Sequence, residues 1–211
     1  MSRLKKEDML RYFEQINNSL AQRDQSGEII IAGGAALMLA FDARNATYDI
    51  DAIFEPKGDM QQIIKDIAKA NNLDDDWLND GVKGFLHDKM GVTVCQRYSH
   101  LVVKNLDAES LLAMKLTSAR PVPSSDMNDS IFLMRKLNIK TEDELFALIE
   151  KYTHPSRHTM EAKYFTKTAF EQYQQGCRKP SLSERLEFGK QKVEERDRQN
   201  PPSRSRNDHE L

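Results

Sequence analysis

Two aspartates separated by a single residue are the feature of this sequence whose type and spacing most directly suggest chemistry. Asp49 and Asp51 lie in a segment from Asp49 to Phe54 that is predicted to be a strand. Side chains alternate between the two faces of a strand, so the two carboxylates point the same way. Neighbouring carboxylates repel each other, and a hard divalent cation between them removes that repulsion. The pattern therefore predicts a Mg²⁺ or Mn²⁺ site at Asp49 and Asp51.

A pair of glycines precedes these aspartates. Ile29 to Ala32 is predicted to be a buried strand, Gly33-Gly34 a tight turn, and the residues from near Ala35 a helix. Glycine lets the backbone approach a phosphate closely, and the N-terminus of a helix offers amide hydrogens to it. With a metal ion nearby, such a turn suits phosphoryl transfer, which needs mainly positioning and charge stabilisation. The alternative is an ordinary turn beside an edge strand whose aspartates face solvent, because isolated matches of this kind are common.

Lys115 and Asp129 are two further charged residues at positions that are otherwise apolar. The predicted helix 108–119 carries Lys115 in the middle of its apolar stripe, one turn from the neighbouring leucines, where it is poorly placed for solvent. In the next predicted helix, 126–137, Asp129 shares a face with two leucines. The alternative for Lys115 is a side chain that snorkels from a packed face to solvent.

The elements that must position these residues follow from periodicity and turn signals. Strands are predicted at 91–97 and 101–106, and the segment 81–85 is an uncertain short strand. Asp59 and Asp107 are predicted helix N-caps, and Thr141 and Glu144 form a capping box. The remaining helices are predicted at about residues 5–23, 59–71, 141–152 and 159–175.

Composition limits the class of protein. The 211 residues are 39% hydrophobic and 30% charged with a net charge of −2, which predicts a soluble protein without a global basic field for nucleic acid. The sequence has no signal peptide or membrane-spanning stretch, so we expect a cytoplasmic protein that does not contact a membrane. Cys95 and Cys177 are predicted to be reduced thiols.

Several motifs together resemble a known superfamily. Ala32-Gly33-Gly34-Ala35-Ala36-Leu37, followed by Arg44, Thr47 and Asp49-Ile50-Asp51, resembles the signature of the nucleotidyltransferases related to DNA polymerase β. It is most similar to their bacterial AbiEii-toxin-like branch. Further stretches resemble that branch in the same order, over roughly residues 28 to 139: Trp77-Leu-Asn-Asp80, Ala108 to Leu116, and Ala119-Arg120 followed by Asp126-Met-Asn-Asp129.

The resemblance implies a fold and a reaction. The fold would be α/β (α+β), a nucleotidyltransferase-like mixed sheet flanked by helices with a helical C-terminal part. The nucleotidyltransferase-like domain would be residues 1–139, and the sequence itself predicts a helical region at 140–194 and, from its composition, a disordered tail at 195–211. The reaction would move a nucleotidyl group from a nucleoside triphosphate (NTP), with Mg²⁺ or Mn²⁺, to a tRNA or other RNA or to a protein hydroxyl. Many such proteins are toxins, which implies a cognate antitoxin as a partner.

The resemblance also implies roles for individual residues. Asp49 and Asp51 would hold the metals, Lys115 would approach the phosphates or the acceptor, and Asp129 would support the site. The nucleotide-binding residues would be Gly33, Gly34, Ala35, Arg44 and Arg120. For both arginines a surface salt bridge is the alternative.

The sequence departs from the pattern of these relatives at two points. The connection Pro121-Val-Pro-Ser-Ser125 is longer than usual, which leaves Asp126 open between a site residue and a helix cap or dipole partner. A third metal-binding carboxylate is not evident, and nothing distinguishes Asp88 from a loop residue. A catalytically inactive nucleotide-binding or partner-docking module is therefore an alternative, and so is a phosphotransferase that uses the same metal site.

Overall fold

The computed structural model describes residues 3–118 and 125–177, and the predicted site residue Arg120 and the predicted tail 195–211 lie outside these ranges. Residues up to Tyr173 belong to one compact unit, and a second unit begins at Gln174. None of the described helices is long and apolar enough to cross a membrane. The helices and strands follow in chain order: α1 (Lys6–Gln22), β1 (Gly27–Ile31), α2 (Gly33–Phe41), β2 (Ile50–Glu55), α3 (Lys57–Asn71), β3 (Leu78–Asn79), β4 (Val92–Arg97), β5 (Leu101–Leu106), α4 (Ala108–Ser118), α5 (Asp126–Leu137), α6 (Glu142–Tyr152) and α7 (Met160–Cys177).

The five strands form one mixed sheet in the order β3-β2-β1-β5-β4. β1 lies at its centre, antiparallel to β2 and parallel to β5. β3 runs parallel to β2, and β4 runs antiparallel to β5. Helices pack against this sheet, so the predicted mixed α/β fold with a helical C-terminal part is confirmed.

Apolar periodicity explains which faces are buried. In α1, Met9, Phe13, Ile16 and Leu20 are fully buried, as their spacing of three and four residues predicts. The central strand β1 buries Ile29 and Ile31, whose side chains share one face because successive side chains of a strand point to opposite faces. The burial of these side chains fixes the end of β1, and hence the start of α2, against the core.

Two contacts fix the helices that carry the site. The side-chain amide of Asn105, a fully buried residue of β5, donates to the Ala36 carbonyl of α2 at 2.9 Å. At the start of α4, the Ser110 amide donates to Asp107 Oδ1 at 2.8 Å, so Asp107 is the predicted N-cap. Both helices therefore begin at defined positions beside the sheet.

Three sequence predictions about local structure are wrong. Asp59 is not an N-cap, because α3 begins at Lys57 after Pro56, and Asp59 instead accepts a hydrogen bond from the Gln25 amide at 2.9 Å. Gly81–Phe85 is a 3₁₀ helix rather than a strand. Helix α7 continues past Gly176 to Cys177. The cause of the first error is that proline suits the start of a helix, so α3 begins earlier than the aspartate indicates.

Candidate functional site

The glycine pair forms the start of α2 at the end of the central strand. Gly33 has φ +62°, a left-handed conformation that favours glycine, and a Cβ there would lie 2.7 Å from Asp51 Oδ2. A Cβ on Gly34 would lie 2.9 Å from an Arg44 guanidinium nitrogen. The residue before the helix is Ala32, which has no side-chain oxygen to cap the first amides. The helix thus begins two residues before the predicted Ala35, with its amide hydrogens available for an anion.

Asp49 and Asp51 lie on the same side of the chain, as the strand alternation predicts. Asp49 immediately precedes β2 and is exposed, whereas Asp51 lies within β2 and is half-buried. Both line one cleft together with Gly33 and Gly34. The Ala32 amide donates to the Asp51 carbonyl at 2.8 Å, which holds the glycine turn next to the Asp51 side chain. The predicted metal residues and the predicted phosphate turn therefore share one site.

A network of buried charges forms the floor of the cleft. Lys115 is only 7% exposed, and its Nζ lies 2.6 Å from Asp126 Oδ1 and 2.9 Å from Asp129 Oδ2. Arg44 binds Asp129 in a bidentate manner, with Nε 2.9 Å from Oδ1 and a second contact from Nη2 to Oδ2. Lys115 therefore does not snorkel to solvent, and Arg44 is not in an ordinary surface ion pair.

This network also answers the question that the sequence left open for Asp126. Asp126 lies in the first turn of α5, where a carboxylate complements the helix dipole, and its side chain also pairs with Lys115. It lines the cleft beside Lys115 and Asp51. Asp129 is buried beneath these residues and links Lys115 to Arg44.

The cleft has two lobes that meet at Gly33, Asp51, Lys115 and Asp126. The larger one, about 690 Å³, is here called the polar lobe. Its other lining residues are Arg3, Gly34, Arg44, Asn45, Ala46, Thr47, Tyr48, Asp49 and Ser125. The smaller one, about 280 Å³, is here called the smaller lobe, and its other lining residues are Gly81, Val82, Phe85, Met114 and Ser118.

The 3₁₀ helix gives the smaller lobe its aromatic wall. The Arg157 guanidinium lies 3.8 Å from the centre of the Phe85 ring and donates to the Gly84 carbonyl at 3.0 Å. These two contacts fix Phe85 beside the lobe. Because Gly81–Phe85 looked like a short strand in the sequence, this wall could not be predicted.

No third carboxylate joins the aspartate pair among the described residues. Within residues 3–118 and 125–177 there is no cluster of three or more histidine, cysteine, aspartate or glutamate side chains that could hold a metal ion. Asp88 is 87% exposed and contacts His87 at 3.0 Å. The residue opposite Asp51 on the neighbouring strand β3 is Asn79, whose side-chain oxygen accepts from the Gly81 amide at 2.9 Å.

A two-carboxylate site nevertheless suits Mg²⁺ or Mn²⁺. Magnesium usually binds one or two carboxylates and completes its coordination with water and substrate phosphate oxygens. Asp49 is exposed, which leaves access for water, and the lack of a Cβ on Gly33 lets the Asp51 carboxylate lie directly against the glycine turn. The chemistry of this donor set therefore fits a hard divalent cation.

A comparison with protein-family models agrees with this geometry. One family, described as nucleotidyltransferases of unknown function (DUF6036), matches residues 7–178. The chain belongs to this family. The match extends through α6 and α7, so these C-terminal helices are part of the shared nucleotidyltransferase sequence. No curated protein and no solved structure matches the chain significantly.

Proposed function

We propose that this nucleotidyltransferase transfers a nucleotidyl group from an NTP to an RNA acceptor, with Mg²⁺ or Mn²⁺ as its cofactor. The observation that carries the proposal is that the Gly33-Gly34 turn, the carboxylates of Asp49 and Asp51, and the Lys115 ammonium line one cleft. A turn for phosphate, ligands for a hard cation and a cation for the developing negative charge are the parts that phosphoryl transfer requires.

Each of the residues that line the cleft would have its own role in the reaction. The amides at the start of α2 would bind the β- and γ-phosphates, and Asp49 and Asp51 would hold the metal. When bound, the metal would neutralise the triphosphate and acidify the acceptor hydroxyl. An ammonium group has three hydrogens, and two carboxylates beside Lys115 use two of them. Its third hydrogen can therefore reach a phosphate oxygen.

The bonds balance in a single displacement. The acceptor oxygen attacks the α-phosphorus and loses its proton to water or to an aspartate. The bond from the α-phosphorus to the α,β-bridging oxygen breaks, and pyrophosphate leaves. Since both lobes meet at Asp51 and Lys115, the reacting phosphorus would lie there. The nucleoside of the NTP would occupy the smaller lobe, where Phe85 and Met114 offer an apolar surface.

The biological setting is proposed from the sequence resemblance alone. We place the protein in the AbiEii-toxin-like branch, acting in the cytoplasm on tRNA or another RNA, with a cognate antitoxin that relieves its effect. These assignments derive from the ordered motifs around Gly33, Asp49, Lys115 and Asp129. A protein hydroxyl is the competing acceptor.

Label transfer tests the reaction. The protein is incubated with Mg²⁺, total RNA or a cell lysate, and each of the four NTPs labelled in turn at the α-phosphate. We expect the label on RNA with the wild type and none with Asp49→Ala/Asp51→Ala. Equal labelling by the two proteins would refute the proposed site. Transfer of a γ-phosphate label instead would identify a phosphotransferase.

Calorimetry separates the enzyme from an inactive binding module. Magnesium-dependent binding of an NTP, without any product in the presence of RNA and protein acceptors, would replace our proposal with a nucleotide-sensing or partner-docking role. An absence of NTP binding in the presence of Mg²⁺ would contradict both the enzyme and the sensor.

A further inference from the structure

An aromatic side chain and an arginine stand together on the wall of the polar lobe. Tyr48 is 54% exposed and directly precedes the metal-site residue Asp49. The Arg3 guanidinium lies 5.0 Å from the centre of the Tyr48 ring, and its Nη2 donates to the Tyr48 hydroxyl at 3.0 Å. These two residues are here called the Arg3–Tyr48 platform.

The backbone holds the two residues of the platform side by side. Leu4 and Thr47 form an isolated antiparallel bridge, with hydrogen bonds of 2.7 Å and 2.9 Å between their amides and carbonyls. Both are buried, at 3% and 6% exposure. Arg3 and Tyr48 each adjoin one member of this bridge. The platform is therefore built on a fixed support, although Tyr48 itself stays accessible from the cleft.

The chemistry of the platform matches one kind of ligand. Exposed aromatic rings and arginine planes are the surfaces on which the bases of single-stranded nucleic acid stack. The same guanidinium can pair with a phosphate through its planar set of donors. Of the large hydrophobic residues that are exposed in the described part of the chain, Tyr48 is the one that lines the cleft, whereas the others lie on β4 and α7.

We propose that the Arg3–Tyr48 platform is the acceptor subsite, and that it binds the terminal nucleotides of a single-stranded RNA end. A base would stack on Tyr48, and Arg3 would contact the adjoining phosphate. The terminal hydroxyl would then point toward Asp49 and Asp51, opposite the nucleoside in the smaller lobe. This inference rests on the proposed nucleotidyl transfer, and it selects RNA over a protein hydroxyl as the acceptor.

Binding to a labelled oligonucleotide tests the platform without any need for turnover. Fluorescence anisotropy measures the Kd of the wild type for a short fluorescein-labelled single-stranded RNA with a free 3′ hydroxyl, at fixed salt. We expect Tyr48→Ala to weaken binding about tenfold, which is the effect of losing one base–aromatic stack. Tyr48→Phe keeps the ring and should bind nearly as well as the wild type. Arg3→Ala should weaken binding and reduce its salt dependence.

Two matched variants control for general effects. Tyr164 is an exposed tyrosine on α7, 75% accessible, so Tyr164→Ala removes the same side chain away from the cleft. Arg11 lies 4.9 Å from the Tyr12 ring, so Arg11→Ala removes a comparable arginine–tyrosine contact. Both should bind the RNA like the wild type. Equal weakening by Tyr164→Ala and Tyr48→Ala would overturn the platform.

The transfer assay distinguishes failure of the platform from failure of the proposed function. If the wild type labels no acceptor, the reaction itself is wrong. If the wild type labels RNA and Tyr48→Ala labels it equally well at limiting RNA concentrations, the reaction stands and the acceptor subsite is wrong. If the label enters a protein, RNA is the wrong acceptor, and the platform proposal fails with it. We expect Tyr48→Ala to label RNA as well as the wild type does only at higher RNA concentrations.

Discussion

The charged residues of the cleft floor are bound to one another so closely that each has a structural role. Asp129 is 7% exposed at its side chain and is the shared partner of Arg44 and Lys115. Burying a charge is unfavourable unless it is paired, so removal of one member weakens the compensation of the charges that it contacts. A loss of activity after substitution of Asp129 therefore combines chemistry with stability.

We expect Asp129→Ala to lower the free energy of unfolding by about 3 kcal/mol, because it leaves the half-buried Arg44 without its bidentate partner and the buried Lys115 with Asp126 alone. Urea denaturation at neutral pH measures this change. Asp88→Ala is the matched control, since Asp88 is 87% exposed, and its effect should stay within about 0.5 kcal/mol. Equal effects of the two substitutions would show that the buried network does not stabilise the fold.

Unlike the buried network, the aspartate pair includes an exposed residue, Asp49, which makes little contribution to packing. In the absence of divalent ions, Asp49→Asn should leave the Tm unchanged or raise it, because it reduces repulsion with Asp51. Added Mg²⁺ should raise the Tm of the wild type, because binding to the folded state alone stabilises it. The variant should lose this Mg²⁺-dependent shift.

Thermal scans with and without Mg²⁺ measure the difference, and Asp88→Asn provides the control that should respond like the wild type. A Mg²⁺-dependent rise in Tm that is as large in Asp49→Asn as in the wild type would place the principal metal site elsewhere.

At the scale of elements, α4 carries Lys115 and is held at its first turn by a contact with α6. Its first turn carries Glu109, which accepts a hydrogen bond from the Tyr152 hydroxyl of α6 at 2.5 Å. This hydrogen bond is the main reason that the pKa of Glu109 lies below its ordinary value, with a smaller contribution from Lys151. The charged form of Glu109 is therefore favoured in the folded protein.

The sign of the pH dependence follows from that shift. A carboxyl with a lower pKa in the folded state stabilises the protein above its unfolded pKa of about 4.5, and this contribution is lost as the pH falls through the folded pKa. Tyr152→Phe should lower the free energy of unfolding by about 1 kcal/mol at pH 7, a modest value because Glu109 is 42% exposed.

The difference between wild type and Tyr152→Phe should be smaller at pH 3 than at pH 7, as measured by denaturant unfolding at the two pH values. Tyr164→Phe is the matched control, because Tyr164 is exposed on α7. If the difference in unfolding free energy were as large at pH 3 as at pH 7, the hydrogen bond between Tyr152 and ionised Glu109 would not be its source.

Elements with strong periodic or β-branched patterns could be predicted from the sequence. Helix α1 and strand β5 agree with the prediction to within about a residue or two, which is the usual uncertainty of such boundaries. The 3₁₀ helix at Gly81–Phe85 could not, because five residues with two glycines carry no distinct period. Because this segment was predicted to be a strand, the aromatic wall of the smaller lobe could not be predicted.

The residues of the site could also be predicted from the sequence only in part. The glycine turn, Asp49, Asp51 and Lys115 were each suggested by local residue types, and the structure brings them together in one cleft. Arg3 could not be predicted, since only the bridge between Leu4 and Thr47 brings the N-terminal segment to the cleft. Tyr48 carried a weak signal, namely an aromatic residue immediately before the aspartate pair.

At the scale of the whole molecule, toxicity is the property that the sequence resemblance implies. Induced expression in a bacterium that lacks the cognate antitoxin should inhibit growth, because modified RNA would stop translation. Asp49→Ala/Asp51→Ala should grow normally at equal protein levels, which an immunoblot verifies. Inhibition that persists in the double variant would arise from something other than nucleotidyl transfer, such as misfolding or nonspecific binding.

The location of the metal and the nucleotide tests the central claim most directly. Crystals of the protein are soaked with Mn²⁺ and an NTP analogue that cannot be cleaved between the α- and β-phosphates, and anomalous scattering locates the metal. We predict Mn²⁺ at about 2.1 Å from carboxylate oxygens of both Asp49 and Asp51, with the phosphates against the Gly33-Gly34 turn. Metal and nucleotide bound away from these residues, or a cleft that stays empty at saturating ligand, would contradict the account.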